Sequence, residues 1–82
     1  MIYMKNLTGL DKLPVGMTGK IKYMTESSNN RRRLLDLGLT QNSIIRNERL
    51  SPSGNPIAYN IRGAIMALRV EDTKNIIIEL IN

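Results

Sequence analysis

The stretch Ile57-Ala58-Tyr59-Asn60-Ile61-Arg62-Gly63-Ala64-Ile65-Met66-Ala67-Leu68-Arg69-Val70 decides the fold class. Ile57, Tyr59 and Ile61 alternate with Ala58, Asn60 and Arg62, the period of a strand with one buried face. Gly63 supplies a tight reversal, because a residue without Cβ accepts positive φ, and Ala64, Met66, Leu68 and Val70 then resume the alternation. The segment reads as a β-hairpin.

Outward from it, Met17, Gly19, Ile21 and Tyr23 alternate with Thr18, Lys20 and Lys22 as a second clear strand. Ser43 to Leu50 is less regular: Ile44 and Ile45 are adjacent, and Arg46, Glu48 and Arg49 follow. It fits an edge or a strongly twisted strand, whose charges discourage edge pairing. Glu71-Asp72-Thr73-Lys74 breaks the β pattern with two acids suited to the first turn of a very short helix, before Ile76 to Ile81 closes the chain as a strand. Upstream, Leu7, Leu10 and Leu13 recur every third residue, and Pro14 and Gly16 punctuate the entry to the first clear strand. Residues 1–82 thus read as one mainly β domain, a strongly bent antiparallel sheet of five to six short strands closed on itself.

The exception to the β pattern is Arg31-Arg32-Arg33-Leu34-Leu35-Asp36-Leu37-Gly38-Leu39, a two-turn amphipathic helix. Asn29 or Ser28 suits its N-cap, Gly38 the left-handed position that ends it, and Leu39 the following position, in reach of Leu34. Its charges oppose its dipole: three cations crowd the N-terminus, each such mismatch costing about 0.3 to 1 kcal/mol, while the lone acid, Asp36, lies at the other end. The plain reading is a lid over the core whose arginine stems cover apolar surface. The sharper reading is that a partner outside the helix takes those arginines.

Composition narrows the function classes. A chain of 82 residues removes only about 60% of its unfolded surface from water, so its core is compact and large clefts are not expected. With no Phe, Trp or Cys, the core must come from Ile, Leu, Val and Met, and disulfides contribute nothing. Twelve Lys and Arg against seven Asp and Glu give a charge of +5, attractive to nucleic acid, anionic lipid or an acidic protein face. The run Ile76-Ile77-Ile78 is far short of the roughly 20 residues of a membrane helix, and the N-terminus lacks a signal-peptide apolar region; a soluble, cytoplasmic chain without membrane insertion is expected.

Without His or Cys, a first-row transition ion would have only oxygen ligands, and Glu71 and Asp72 diverge by about 100° on a helix, so no metal site is expected. Neither a Ser-His nor a Cys-His pair exists, so no catalytic residue is expected. Gly9, Gly16 and Gly19 are not followed by a phosphate-cradling helix, and no cofactor is expected. Ser51-Pro52-Ser53-Gly54-Asn55-Pro56 is stiffened by its prolines; it is either a rigid connection or a preorganised contact loop. Arg69 lies near a strand end where Asp36 or Glu71 is a candidate partner, which favours a structural role.

Taken in order, Leu10, Leu13, Gly16 and Gly19, then Arg32 to Leu39, then Pro52-Ser53-Gly54-Asn55-Pro56-Ile57, then Gly63, Ala67-Leu68-Arg69 and the closing isoleucines resemble the FeoA family, ferrous iron transport protein A, over about Leu7 to Leu80. The resemblance implies an SH3-like barrel acting as a cytoplasmic accessory of FeoB, a membrane Fe(II) transporter with a cytosolic GTP-binding domain. A similar barrel closes iron-dependent repressors of the DtxR kind, and 82 residues leave no room for their helix-turn-helix domain. Asn55 stands where many relatives carry Asp, and Thr25-Glu26-Ser27-Ser28-Asn29-Asn30 resembles a polar insertion. The expected partner surface combines Arg31, Arg32, Leu35 and Leu39 with Pro52, Gly54 and Pro56, facing the cytosolic region of the FeoB-type transporter. The competing reading is a small basic RNA- or DNA-binding SH3-like module, disfavoured because the chain has no Phe or Trp and its tyrosines read as strand residues facing inward.

Overall fold

The computed structural model describes residues 6–25, 29–50 and 54–81, with the side chains of 29, 30, 49 and 50 excepted. Six strands, β1 (Leu7–Gly9), β2 (Thr18–Met24), β3 (Ile44–Leu50), β4 (Ile57–Ile61), β5 (Ala64–Leu68) and β6 (Ile76–Leu80), form one antiparallel sheet in the order β1-β6-β2-β3-β4-β5. A 3-10 turn, Leu10–Lys12, follows β1; helix α1 (Asn29–Asp36) joins β2 to β3; helix α2 (Val70–Thr73) joins β5 to β6.

The hairpin forms as its alternation predicts as far as Leu68; Val70, read as part of the second strand, is instead the first residue of α2. Ile57, Tyr59 and Ile61 pair with Leu68, Met66 and Ala64, and the β4 members of these pairs are buried. Arg62 and Gly63 both have positive φ, 55° and 87°, the signature of a two-residue type I′ turn. Asn60 Oδ1 accepts the Gly63 amide at 3.0 Å and fixes it.

Two bulges explain where the simple alternation fails. In β2, the pairing with β6 runs Ile21 to Ile78 and then Tyr23 to Ile77, so Lys22 is the extra residue. Beyond it the parity reverses: Ile21 faces the core, Tyr23 is 52% exposed and Met24 packs inward. The expectation that Tyr23 shares the buried face of Ile21 is therefore corrected. In β3 the pairing with β4 shifts between Asn47 and Arg49, leaving Glu48 unopposed. This strand is not an edge; it lies between β2 and β4, and the bulge supplies the twist that its uneven pattern suggests. Ile45 and Asn47 face inward, while Ile44 and Arg46 are exposed.

The ends of the sheet, β1 and β5, are not paired with each other among the described residues, so closure comes from packing. Leu10 and Leu13 join Ile57, Tyr59 and Leu68 in one buried cluster with Ile21, Leu34, Leu39, Ile45, Ile61, Ile76 and Ile78. Polar groups inside this wall tie the segment after β1 to the sheet. Asn47 Nδ2 donates to the Leu13 carbonyl at 2.8 Å, and the Tyr59 hydroxyl donates to the Leu10 carbonyl at 3.4 Å. Burial pushes the Tyr59 phenol up to about 12, against an opposing hydrogen bond with Thr73.

Candidate functional site

Helix α1 is placed by its C-terminus. Gly38, at φ 101°, donates its amide to Leu35 O at 3.0 Å, and the Leu39 amide reaches Leu34 O at 3.1 Å, a Schellman closure. Leu34 and Leu39 are both buried in the core, as the spacing predicts. The buried Ser43 then hooks the connection: its hydroxyl meets Thr40 Oγ1 at 2.8 Å and Gly38 O at 3.3 Å, and its carbonyl accepts the Ile21 amide at 2.9 Å. At the other end, Asn29 is the first helical residue rather than the cap before it, and Ser28 lies outside the described residues.

Along α1 the three arginines diverge. Arg31 and Leu35, four residues apart, share one face; Arg33 is turned about 200° from Arg31 and meets a different neighbour. Its Nη2 donates to Asp72 Oδ2 of α2 at 2.6 Å. Asp72 is the acid that engages Arg33; among the described residues neither Asp36 nor Glu71 forms a close ion pair with Arg69, although the charges of Arg69 and Glu71 do interact. Arg31 and Leu35 instead border an open groove of about 250 Å³ between α1 and β2, with Ile21 and Leu39 beneath and Tyr23 and Gln41 opposite. Leu35 is 41% exposed there, and Arg32 is exposed on the adjoining helix surface.

The second loop named from the sequence lies across α2 from this groove. Asn55 Oδ1 accepts the Val70 amide at 3.1 Å, and its Nδ2 donates to Glu71 Oε1 at 3.3 Å. Arg69, the N-cap residue of α2, makes no capping bond with its side chain, so Asn55 performs that role from another segment. A hydrogen bond from its own backbone amide, followed by the Asn55 contact and the Arg69 and Lys74 charges, holds the Glu71 carboxyl below the ordinary carboxylate range. Gly54 and Pro56 flank this anchor and are half-buried; Pro52 lies outside the described residues.

Of the expected partner residues, Arg31, Leu35 and Leu39 therefore meet in one groove, Leu39 as its buried floor, while Arg32 is exposed on α1 outside the groove lining. Gly54 and Pro56 belong to a second surface, linked to α1 by way of α2 through the Asn55–Glu71 and Arg33–Asp72 contacts. Tyr23 and Gln41 were not anticipated in the groove; the bulge that turns Tyr23 outward leaves no mark in hydropathy. No group of three His, Cys, Asp or Glu side chains comes together among the described residues. No helix among them is long and apolar enough to cross a membrane.

A family model for the FeoA domain matches residues 8–80. The solution structure of a FeoA-like protein from Clostridium acetobutylicum superposes with a TM-score of 0.89 at 29% identity, covering 96% of this chain and 92% of that one. FeoA from Chlorobium tepidum gives 0.84 at 27% identity, over 92% and 71% of the two chains. FeoA from Stenotrophomonas maltophilia, described as a prokaryotic SH3-domain protein and solved with zinc, gives 0.78 at 22% identity over 88% and 89%, a likeness of fold. The six-stranded sheet is thus SH3-like. No curated protein matches the chain.

Proposed function

The chain belongs to the FeoA family, whose role lies in ferrous iron transport, and from that premise we propose that it is a cytoplasmic accessory that docks on the cytosolic region of a FeoB-type Fe(II) transporter and modulates uptake by protein contact. The observation that carries the reading is the division of labour on α1. Asp72 takes Arg33, whereas Arg31 stays exposed on a groove that presents Leu35 and Tyr23 to solvent, and Arg32 is exposed next to it on the helix. A groove of mixed lining, with Leu35 and Tyr23 beside Gln41 and Arg31, fits a segment that offers an apolar side chain next to an acid, and a rigid helix presents it at low ordering cost. The protein acts by binding, without a catalytic group.

The nucleic-acid alternative gains one stacking ring from the exposed Tyr23, but Tyr59 is buried, and Tyr3 lies outside the described residues. The family assignment weighs against it. Arg31→Glu combined with Arg32→Glu tests the docking surface: co-purification with the transporter falls by about tenfold or more while the melting temperature stays within about 2 °C of wild type. A double variant retained as well as wild type overturns the assignment.

A further inference from the structure

We propose that β5 is a second docking element, which takes an extended, acid-flanked segment of a partner by strand addition. The two edges of the sheet are managed differently. At one end β1 is only three residues long, a common way of blunting an edge. At the other, β5 runs for five residues, Ala-Ile-Met-Ala-Leu, in unbroken register with β4, with no charge, proline or bulge within it. Natural edges of this length and character are normally protected.

The free backbone groups can be named. In a two-residue hairpin the residues closing the turn, Ile61 and Ala64, exchange hydrogen bonds, and every second pair follows suit. Met66 and Leu68 therefore bond to β4, while the amides and carbonyls of Ile65 and Ala67 point to the open side. No described residue pairs with β5 on that side. The Ile65 side chain, on the outer face, is 61% exposed, the largest value among the exposed large hydrophobic residues described.

Charge selects the occupant. From Ser51 to Val70 the sequence contains two arginines and not one carboxylate. Those arginines, Arg62 and Arg69, are exposed and frame β5 at its two ends, and Arg46 lies on the same outer row as Asn60 and Ile65. Glu71, the nearest acid along the chain, accepts from Asn55 and divides its remaining attraction between Arg69 and Lys74, so it offsets the Arg69 charge only in part. Arg62 holds its place at φ 55°, in a turn position that ordinarily takes Asn, Asp or Gly, so a cation stands there against backbone preference. A second copy is the wrong occupant: antiparallel pairing about Met66 sets Arg62 of each copy opposite Val70 of the other, one residue from its Arg69, and like charges at such neighbouring positions are repulsive. An apolar strand with carboxylates at its ends satisfies the free backbone, covers Ile65 and meets both arginines.

The test is hydrogen exchange by NMR on the full chain, with the acetylated, amidated peptide ETVTVTE as probe and KTVTVTK as control. ETVTVTE is expected to slow exchange of the Ile65 and Ala67 amides by about tenfold at saturation, KTVTVTK by less than about threefold. Ala67→Pro removes an outward donor without touching the β4 ladder and is expected to abolish the protection of Ile65. Should that variant fail to fold, Arg62→Glu with Arg69→Glu is expected to reverse the preference between the peptides. Absence of protection, equal protection by both peptides, a preference that the double variant does not reverse, or protection that arises without peptide and grows with protein concentration, would each overturn the proposal.

Discussion

The inner wall around Tyr59 and Asn47 and the outer surface of α1 around Arg31, Arg32 and Leu35 use polar and apolar groups in opposite ways. Inside, polar side chains are few: Asn47 Nδ2 and the Tyr59 hydroxyl bind the carbonyls of Leu13 and Leu10, holding the segment after β1 across the sheet, while Asn47 Oδ1 has no partner among the described residues. Outside, leucine and arginine stand together in water, and neither Arg31 nor Arg32 forms an ion pair with a described residue. Arg33 marks the boundary, exposed like its neighbours yet engaged by Asp72. Substitutions on the two sides therefore separate stability from binding.

The steepest test of that separation is Asn47→Ala. It strands the buried Leu13 carbonyl but also removes the unpartnered Asn47 Oδ1, and the balance is expected to lower unfolding stability by about 1 to 2 kcal/mol in denaturant titration, with docking intact in the folded fraction. Tyr59→Phe is milder, about 1 kcal/mol at neutral pH for the lost Leu10 contact, and it carries a pH signature. The phenol is raised from 10.0 to about 12 in the folded chain, so the fold favours its neutral form; this stabilisation is whole below pH 10 and is lost as pH rises through about 12. Wild type should weaken across that window, and the Phe variant should show a flatter profile there. Arg33→Ala, on the boundary, removes an exposed ion pair and should cost less than about 1 kcal/mol, with the loss shrinking in high salt. A loss comparable to that of Asn47→Ala would place Arg33 with the inner wall instead.

Much of this arrangement is legible in the sequence because it follows from local rules. The hairpin from Ile57 to Leu68 is set by period-two alternation and one glycine, and the end of α1 by Gly38 with Leu34 and Leu39 on either side of it. What escapes is what depends on a neighbour distant in sequence. Tyr23 is turned outward by a register shift against β6, which single-strand hydropathy does not encode. Asp72 takes up Arg33 because α2 is folded beside α1, 39 residues away in sequence. Asn55, an ordinary turn residue in its own loop, caps α2 across 15 residues and donates to Glu71, a bond that an ionised Asp could not make. The groove assembles from Tyr23, Leu35 and Gln41 for the same reason: each is ordinary in its own segment, and only the crossing of α1 over β2 gathers them.

Lys22 carries one further implication. As the unopposed residue of β2, held to Glu79 at 3.5 Å, it is the point where the strand exchanges its two allegiances, giving Ile21 and Met24 to the interior and Tyr23 to the groove. A version of the chain shortened by that single residue would have to choose: either the ring turns inward and the slot beside α1 loses its aromatic wall, or Met24 leaves the interior to preserve it. The recognition surface is thus written into β2 by the number of its residues as much as by their kind.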